Sequence, residues 1–147
     1  MNDRMYLIDN NVLSHLTPNQ RESAFFLEHC RIPTEVIYEA GSLDEDSFKT
    51  VEYPTTGRVL AALRVVMASV PAGDTTLVNL YANKGGADPI LVACALDGNF
   101  DTAEHLFGPT WSIVSNDKAV RAKAHDFDIE VFTREQFATE TTGLMND

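Results

Sequence analysis

No apolar run in this sequence approaches the roughly 20 residues that a membrane-spanning helix needs, so we expect no such helix. The start of the sequence lacks a basic segment followed by a long apolar stretch, and we therefore expect no secretory signal. Cysteine is scarce, since Cys30 and Cys94 lie far apart and match no metal-binding or redox spacing. We expect both to be reduced, packed thiols in a cytoplasmic protein.

Basic residues are also scarce, with 11 Lys and Arg against 22 Asp and Glu and a formal net charge of −11. Proteins that bind nucleic acids usually carry a basic surface, so this balance argues against a nucleic-acid partner without excluding one. A site built from acidic side chains and filled by cations would account for part of the excess. The cluster Lys118, Arg121 and Lys123 indicates the solvated face of a helix more readily than a phosphate-binding track.

Several catalytic and nucleotide-binding motifs are missing. The four histidines show no His-x-x-x-His spacing for zinc, and the Gly-x-Ser-x-Gly motif of serine hydrolases does not occur. The phosphate-binding Gly-x-x-x-x-Gly-Lys-Thr and the dinucleotide-binding Gly-x-Gly-x-x-Gly are absent as well. These absences leave the acidic side chains as the groups best suited to carry chemistry.

Short apolar segments alternate with longer helical segments along the chain. This alternation predicts an α/β protein with a central, mainly parallel sheet between two layers of helices, a three-layer α/β/α fold. We expect one domain at 1–139, with an acidic, irregular segment at 42–54, and a loose polar tail at 140–147. The predicted strands are 5–9, 30–32, 111–115 and 129–132. The predicted helices are 11–16, 19–30, 34–40, one from Thr55 or Thr56 to about 70, 74–83, 88–96, 101–107, 117–125 and one from 133 onward.

Three of the predicted helices carry informative patterns. The helix from Thr55 or Thr56 has one apolar stripe, formed by Val59, Leu60, Leu63, Val66, Met67 and Val70. The segment 90–96 follows a break at 84–86 and is apolar on nearly all sides, which predicts a buried helix. Thr133 and Gln136 have capping-box spacing and predict the start of the last helix.

Three aspartates end a predicted strand or begin a predicted helix, namely Asp9, Asp88 and Asp117. Each alone is explained as a helix cap, because an Asp side chain accepts hydrogen bonds from free backbone N–H groups. A carboxylate at a helix start gains only about 0.3–1 kcal/mol, and three gathered at one sheet edge would repel one another. A bound divalent cation would reverse that repulsion, and hard oxygen ligands favour Mg²⁺ or Mn²⁺ over zinc.

A fourth acid comes from the predicted helix at 34–40. Glu35 and Glu39 are four residues apart and share one helical face, which could lean over the strand ends. The spacing does not choose between them, and two solvated surface acids explain it equally well.

Four segments of the sequence resemble the motifs of one nuclease family, the PIN domain. The opening Ile8-Asp9-Asn10-Asn11-Val12-Leu13 resembles the family's apolar strand followed by Asp-Thr-Asn-Val-Leu. The segment 36–41 resembles its helical glutamate before glycine and selects Glu39 over Glu35. Residues 86–96 resemble its Ala-Asp before an apolar helix, and 114–117 its strand ending in Thr-x-Asp. Asn10 and Ser115 are mild departures from the usual hydroxyl residue and threonine.

The resemblance covers about 5–137, and many VapC-like toxin ribonucleases of toxin–antitoxin pairs share this fold. It implies a metal-dependent endoribonuclease that hydrolyses RNA phosphodiester bonds. Asp9, Glu39, Asp88 and Asp117 would be the catalytic, metal-binding acids for Mg²⁺ or Mn²⁺. Asn11, Ser115 and Asn116 would orient these ligands or water from behind. The resemblance further implies a cytoplasmic homodimer and a small antitoxin protein as partner, with no membrane association.

Other classes of protein compete with this interpretation. The alternative function is a non-catalytic PIN-like module for protein binding or regulation. A phosphorelay receiver would need an acid pair after the first strand and an aspartate on a middle strand, and neither is evident. A phosphatase of the Asp-x-Asp type would need an acid at position 11, which is Asn11.

Overall fold

The computed structural model describes residues 3–40, 45–75, 77, 88–105 and 107–145. The strands are β1 (Arg4–Ile8), β2 (Cys30–Pro33), β3 (Glu52–Tyr53), β4 (Thr110–Val114) and β5 (Val131–Phe132). The α-helices are α1 (Asn10–Leu13), α2 (Pro18–Arg21), α3 (Ala24–His29), α4 (Thr34–Ala40), α5 (Gly57–Ala68), α6 (Asp88–Glu104), α7 (Lys118–Asp126) and α8 (Arg134–Glu140). A 3-10 helix covers Glu45–Val51.

The strands form one sheet in the order β3-β2-β1-β4-β5, and every neighbouring pair is parallel. The pairing of β1 with β4 runs from Arg4 opposite Thr110 to Ile8 opposite Val114. From β1 the chain adds β2 and β3 on one side, and later adds β4 and β5 on the other. The direction of winding therefore changes between β1 and β4, where open parallel sheets form a crevice beyond the carboxyl ends of their strands.

Helices flank the sheet, which confirms the predicted α/β fold with a parallel central sheet. Leu7 and Ile8 of β1 and Ile113 and Val114 of β4 are fully buried, as strands covered on both faces should be. Every residue of α6 from 89 to 95 is also buried, which confirms the prediction of a helix that is apolar all round. Among the described residues, no helix combines the length and apolar surface that a membrane span requires.

Side-chain caps fix where the predicted helices begin. The hydroxyl of Thr56 accepts a hydrogen bond from Val59 N at 3.3 Å and begins α5. Before α8, Gln136 N donates to Thr133 Oγ1 and Thr133 N donates to Gln136 Oε1, which confirms the predicted capping box.

The prediction of two helices at 88–96 and 101–107 is wrong, because α6 runs unbroken from Asp88 to Glu104. Its middle packs tightly against Trp111 of β4. A Cβ atom on Gly98 would lie 2.5 Å from Trp111 Cδ1, and only glycine allows that approach. Asn99 holds the same contact, since its side chain accepts from Trp111 N at 2.8 Å and donates to Trp111 O at 3.1 Å. The packing of α6 on β4 therefore keeps the helix continuous through Gly98.

Three other boundaries differ from the predictions. The segment 42–54 is regular in its described part, where the 3-10 helix leads into β3 and Phe48 and Val51 are buried. The helix predicted at 19–30 is two helices, because Ser23 ends the first stretch and caps α3 by accepting from Phe26 N at 3.2 Å. The helix predicted at 11–16 ends at Leu13. The predicted helix at 74–83 and the break at 84–86 lie outside the described residues, except for 74, 75 and 77, which are not helical.

The apolar stripe predicted on α5 is only partly buried. It contacts the core through the fully buried Val59 and Val66, whereas Leu60 and Met67 are 51% and 39% exposed.

Beyond α8 the chain turns at 141–144, and both Thr141 and Met145 are buried. This part of the tail, for which we predicted a loose structure, packs against the body of the domain.

Replacing Gly98 by alanine should lower the free energy of unfolding by about 1–3 kcal/mol, because the new methyl group collides with the Trp111 indole. Alanine is otherwise the better helix former, so a simple propensity argument predicts the opposite sign. Gly57→Ala is the matched control, since a Cβ atom at Gly57 meets nothing within 4 Å. Urea unfolding followed by circular dichroism would measure both. A Gly98→Ala protein as stable as Gly57→Ala would contradict the tight α6–β4 contact.

Candidate functional site

A depression of about 550 Å³ opens at the carboxyl ends of β1 and β4, where the winding direction changes. All four acids predicted for a site line it, as do two of the three residues predicted to support them. The lining residues are Asp9, Asn10, Asn11, His15, Glu39, Asp88, Asn116, Asp117 and Arg134. The acids come from four separate segments: the end of β1, helix α4, the start of α6 and the end of β4.

Asp9 is buried, with 7% of its surface exposed, directly after β1. Its Oδ1 accepts a hydrogen bond from Asn10 N at 2.7 Å, and its Oδ2 accepts one from the Ser115 hydroxyl at 2.7 Å. Burial raises the pKa of the Asp9 carboxyl, the two hydrogen bonds oppose that rise, and the charge of Asp117 adds to it. Asp9 is therefore held in one orientation by groups behind the depression.

Ser115, the third predicted supporting residue, lies fully buried behind the depression and connects two of its acids. Its Oγ donates to Asp9 Oδ2 and accepts from Asp117 N at 3.1 Å. This single hydroxyl thus donates to the residue that follows β1 and accepts from the turn that follows β4. The register of the two strands brings these groups together.

Asp117 begins α7, and its side chain is exposed to the depression. Its Oδ1 accepts hydrogen bonds from Ala119 N at 2.8 Å and Val120 N at 3.1 Å, so it is a helix cap as well as a lining acid. The neighbouring Asn116 accepts a hydrogen bond from Arg134 N at 2.7 Å through its Oδ1. That bond joins the end of β4 to the start of α8.

Asp88 is the half-buried first residue of α6, and the charges of all three other acids act on its carboxyl. Burial raises the pKa of its carboxyl to about 7, with further contributions, in decreasing order, from the charges of Asp117, Asp9 and Glu39. The pKa of Asp88 is thus raised first by burial and then by the like charges of the other three acids. The four acids therefore form one electrostatic cluster, which we call the acidic cluster.

Helix α4 brings one of its two candidate glutamates to the depression. Glu39 lines the depression and Glu35, one turn earlier, does not. The start of α4 is tied to β3, because the hydroxyl of Thr34 donates to Glu52 Oε2 at 2.6 Å. The choice that spacing left open is thus made by the position of α4 on the sheet.

Sequence reasoning missed three lining residues, Asn10, His15 and Arg134. The guanidinium of Arg134 lies 3.2 Å from Glu135 Oε2, and His15 Nδ1 lies 2.8 Å from the carbonyl oxygen of Asn11. A signal for Arg134 was available, because it follows the last strand of a parallel sheet and such strands all end at one edge. His15 carried no comparable signal, since its position depends on how α1 ends.

The donor chemistry of the depression suits a hard divalent cation, as carboxylate and amide oxygens are ligands that Mg²⁺ and Mn²⁺ prefer. Its present geometry is not that of a finished metal site. Within the described residues, no three His, Cys, Asp or Glu side chains are arranged so that they could hold a metal ion. A cation that binds here would have to draw the carboxylates of the acidic cluster together against their mutual repulsion.

Comparison with known proteins adds no assignment. No protein-family model matches the sequence, and no curated protein matches it significantly. The resemblance to the PIN domain therefore depends on the four sequence segments alone.

In EDTA, Asp88→Asn should stabilise the protein at about pH 8 and have little effect at about pH 4. The pKa of Asp88 is higher in the folded than in the unfolded state, so the folded state binds the extra proton. Wild-type stability should therefore fall as the pH rises from about 4 through about 7, and the variant should escape this loss. Thermal unfolding across this pH range would measure the difference.

Asp101→Asn is the control for this experiment. Asp101 lies on the same helix and is exposed, and its ion pair with Arg58 at 3.3 Å is also exposed. We expect its effect to stay within about 0.5 kcal/mol at every pH. A parallel pH dependence for wild type and Asp88→Asn would argue against a raised pKa of Asp88, and so against the burial and the repulsion that we assign to this carboxyl.

Proposed function

We propose that this protein is a metal-dependent endoribonuclease of the PIN-domain type, which hydrolyses RNA phosphodiester bonds with Mg²⁺ or Mn²⁺. One observation carries the proposal. Carboxylates from four separate segments line a single depression between β1 and β4, where the direction of winding changes, and burial together with their repulsion raises the pKa of Asp88 to about 7. A cluster with such a raised pKa in a cleft is a candidate for function more than for stability.

Asp9, Glu39, Asp88 and Asp117 would hold the cation. A divalent cation in such a site supplies a water ligand of lowered pKa and neutralises the charge on the phosphate oxygens. Asp88 would have to lose its proton on binding, so cation affinity should rise with pH around neutrality.

Other groups in and behind the depression would orient the carboxylates or attract the phosphate. Ser115 and Asn10 N fix the carboxylate of Asp9, and the backbone N–H groups of Ala119 and Val120 at the start of α7 fix that of Asp117. Arg134 provides a guanidinium beside the acidic cluster, and this group matches the geometry of a phosphate. A phosphodiester would thus meet carboxylates with their cation on one side and a fixed positive charge on the other.

The biological setting that we propose follows from the family resemblance. The protein would be a cytoplasmic toxin of a type II toxin–antitoxin pair, active as a homodimer. A small antitoxin would inhibit it by presenting an arginine to the acidic cluster in place of the cation. The net charge of −11 is compatible with a basic inhibitor.

A second function, that of a non-catalytic PIN-like protein-binding module, has two observations in its favour. Both carboxylate oxygens of Asp9 already accept hydrogen bonds, and the described acids do not form a ready metal site. The two functions differ in Mn²⁺ binding, because only the nuclease requires the carboxylates to bind the ion.

Asp9→Asn should reduce RNA cleavage by about a hundredfold or more, with little loss of stability. Asparagine keeps the side-chain shape and the oxygen that accepts from Asn10 N, but loses the charge that a cation needs. The assay compares cleavage of a mixed-sequence RNA by wild type with Mg²⁺, Mn²⁺ or EDTA and by the variant with Mn²⁺. Asp126→Asn removes an exposed carboxylate outside the depression and should cleave like wild type. Equal cleavage by Asp9→Asn and wild type would rule out the proposed site.

Ser115→Ala should weaken Mn²⁺ binding and cleavage by about tenfold to a hundredfold, because Asp9 and Asp117 lose the hydroxyl that links them. Ser115→Thr retains the hydroxyl and should recover most of the loss. Ser112→Ala is the matched control, since Ser112 is also buried but donates to Glu130 outside the depression. Electron paramagnetic resonance of Mn²⁺ would report affinity directly. Equal Mn²⁺ affinity for Ser115→Ala and Ser112→Ala would remove the supporting role of Ser115.

A further inference from the structure

A second cavity, of about 430 Å³, lies beside the acidic depression. Helices α1, α2 and α8 and the turn at 141–145 contribute its walls. The apolar part of the lining consists of Val12, Leu16, Phe137, Ala138 and Met145. Its size and mostly apolar walls with a few polar groups are those of a small-molecule pocket. We call it the side cavity.

The side cavity and the acidic depression share two residues, His15 and Arg134. A molecule bound at the acidic cluster would therefore reach the side cavity by passing these two side chains. Met145 and the turn at 141–144 form one wall of the side cavity, so the packed part of the C-terminal tail helps to form the cavity.

Both shared residues present flat, hydrogen-bonding groups. His15 is exposed, and its Nδ1 donates a hydrogen bond to the Asn11 carbonyl oxygen at 2.8 Å. In the neutral ring, the other nitrogen, Nε2, is then an acceptor. The guanidinium of Arg134 is held 3.2 Å from Glu135 Oε2. Imidazole rings and guanidinium planes are surfaces on which unstacked RNA bases pack.

Polar groups in the side cavity suit the edge of a base. The side-chain oxygen of Gln20 accepts from Thr17 N, which leaves its amide N–H groups as donors. The hydroxyl of Thr142 donates to Ala138 O at 3.0 Å and can still accept. An occupant with apolar faces, a polar edge and an attached phosphate would match this arrangement, and a nucleotide has all three.

We propose that the side cavity receives the nucleobase next to the scissile phosphate, so that the substrate is single-stranded RNA with one base turned into the protein. The inference rests on the proposed ribonuclease function and adds to it how the RNA is held. A paired base cannot enter without leaving its stack, which excludes an intact duplex at this position. Arg134 favours a nucleotide over an apolar peptide side chain, because its positive charge lies where the phosphate would follow the base.

Mononucleotides test the cavity apart from cleavage, because they contain no bond for the enzyme to cut. Methyl NMR of the full chain would follow Met145 and Ala138 during titration with the four ribonucleoside 5′-monophosphates, ribose 5-phosphate and N-acetyl-leucinamide. We expect at least one nucleotide to shift both signals. Ribose 5-phosphate should bind about tenfold more weakly, because it has no base to stack.

Ala138→Trp fills the side cavity from an exposed position on α8 and should weaken nucleotide binding by about tenfold, with a raised KM for RNA. The Met145 methyl signal reports binding in this variant, which lacks the Ala138 methyl group. Thr139→Trp is the matched control, since the next residue of the same helix lies outside the cavity. Thr142→Phe fills the cavity from the turn and serves if Ala138→Trp unfolds. Mn²⁺ binding should be unchanged in all three.

The outcomes separate the two proposals. RNA cleavage without any nucleotide effect on Met145 and Ala138 would keep the nuclease and overturn the base-binding cavity. Equal binding of ribose 5-phosphate, or a stronger response to N-acetyl-leucinamide, would also overturn it, the latter in favour of a peptide partner. Nucleotide binding that Ala138→Trp weakens, in a protein that cleaves no RNA, would support nucleotide binding in the side cavity and overturn the nuclease, and with it the place of the base beside a scissile phosphate.

Discussion

The parallel pairing of β1 with β4 is the constraint on which the rest of the site depends. The two strands pair over five residues, and Asp9 N extends the pairing by donating to Val114 O at 3.1 Å. Because parallel strands end at one edge of the sheet, two acids far apart in the sequence leave it side by side, and the Ser115 hydroxyl bridges them. A register shift of one residue would turn every side chain of the strand to the other face and separate the pair.

The acidic cluster opposes folding, and the apolar core compensates for it. Burial and three neighbouring charges keep Asp88 partly protonated near neutral pH. The helix that Asp88 begins is buried from 89 to 95, so hydrophobic contacts hold the carboxylate in an environment that it would not otherwise occupy. Gathering these like charges lowers the stability of the folded protein, and a cation bound among them would offset that loss.

Local sequence patterns predicted the structural features that short-range interactions determine. They did not predict the features that depend on contacts between distant residues. The strand before Asp9, the all-round burial of α6 and the capping box at Thr133 follow from short-range chemistry. The continuity of α6 depends on the contact of Gly98 with Trp111, which no local pattern reveals. Likewise, the four acids were recognisable as a set, but Glu39 could be separated from Glu35 only by family resemblance or by the position of α4. Arg134 could have been inferred from its place after the last parallel strand, whereas the position of His15 depends on where α1 ends, which the sequence pattern placed three residues too late.

On the proposed function, the shortage of basic residues determines how RNA can be held. Affinity for nucleic acids usually comes from many Lys and Arg contacts to phosphates and falls steeply with salt. Here Arg134 is the one Lys or Arg among the described residues that line the depression, and the chain as a whole carries a charge of −11. The cation must then supply much of the attraction for the phosphate at the cleavage site, and contacts with the base must supply the rest. Binding that depends on both would be weaker for a phosphate without a base and for a nucleotide without a cation, so an acidic protein could select its RNA through chemistry at a single nucleotide.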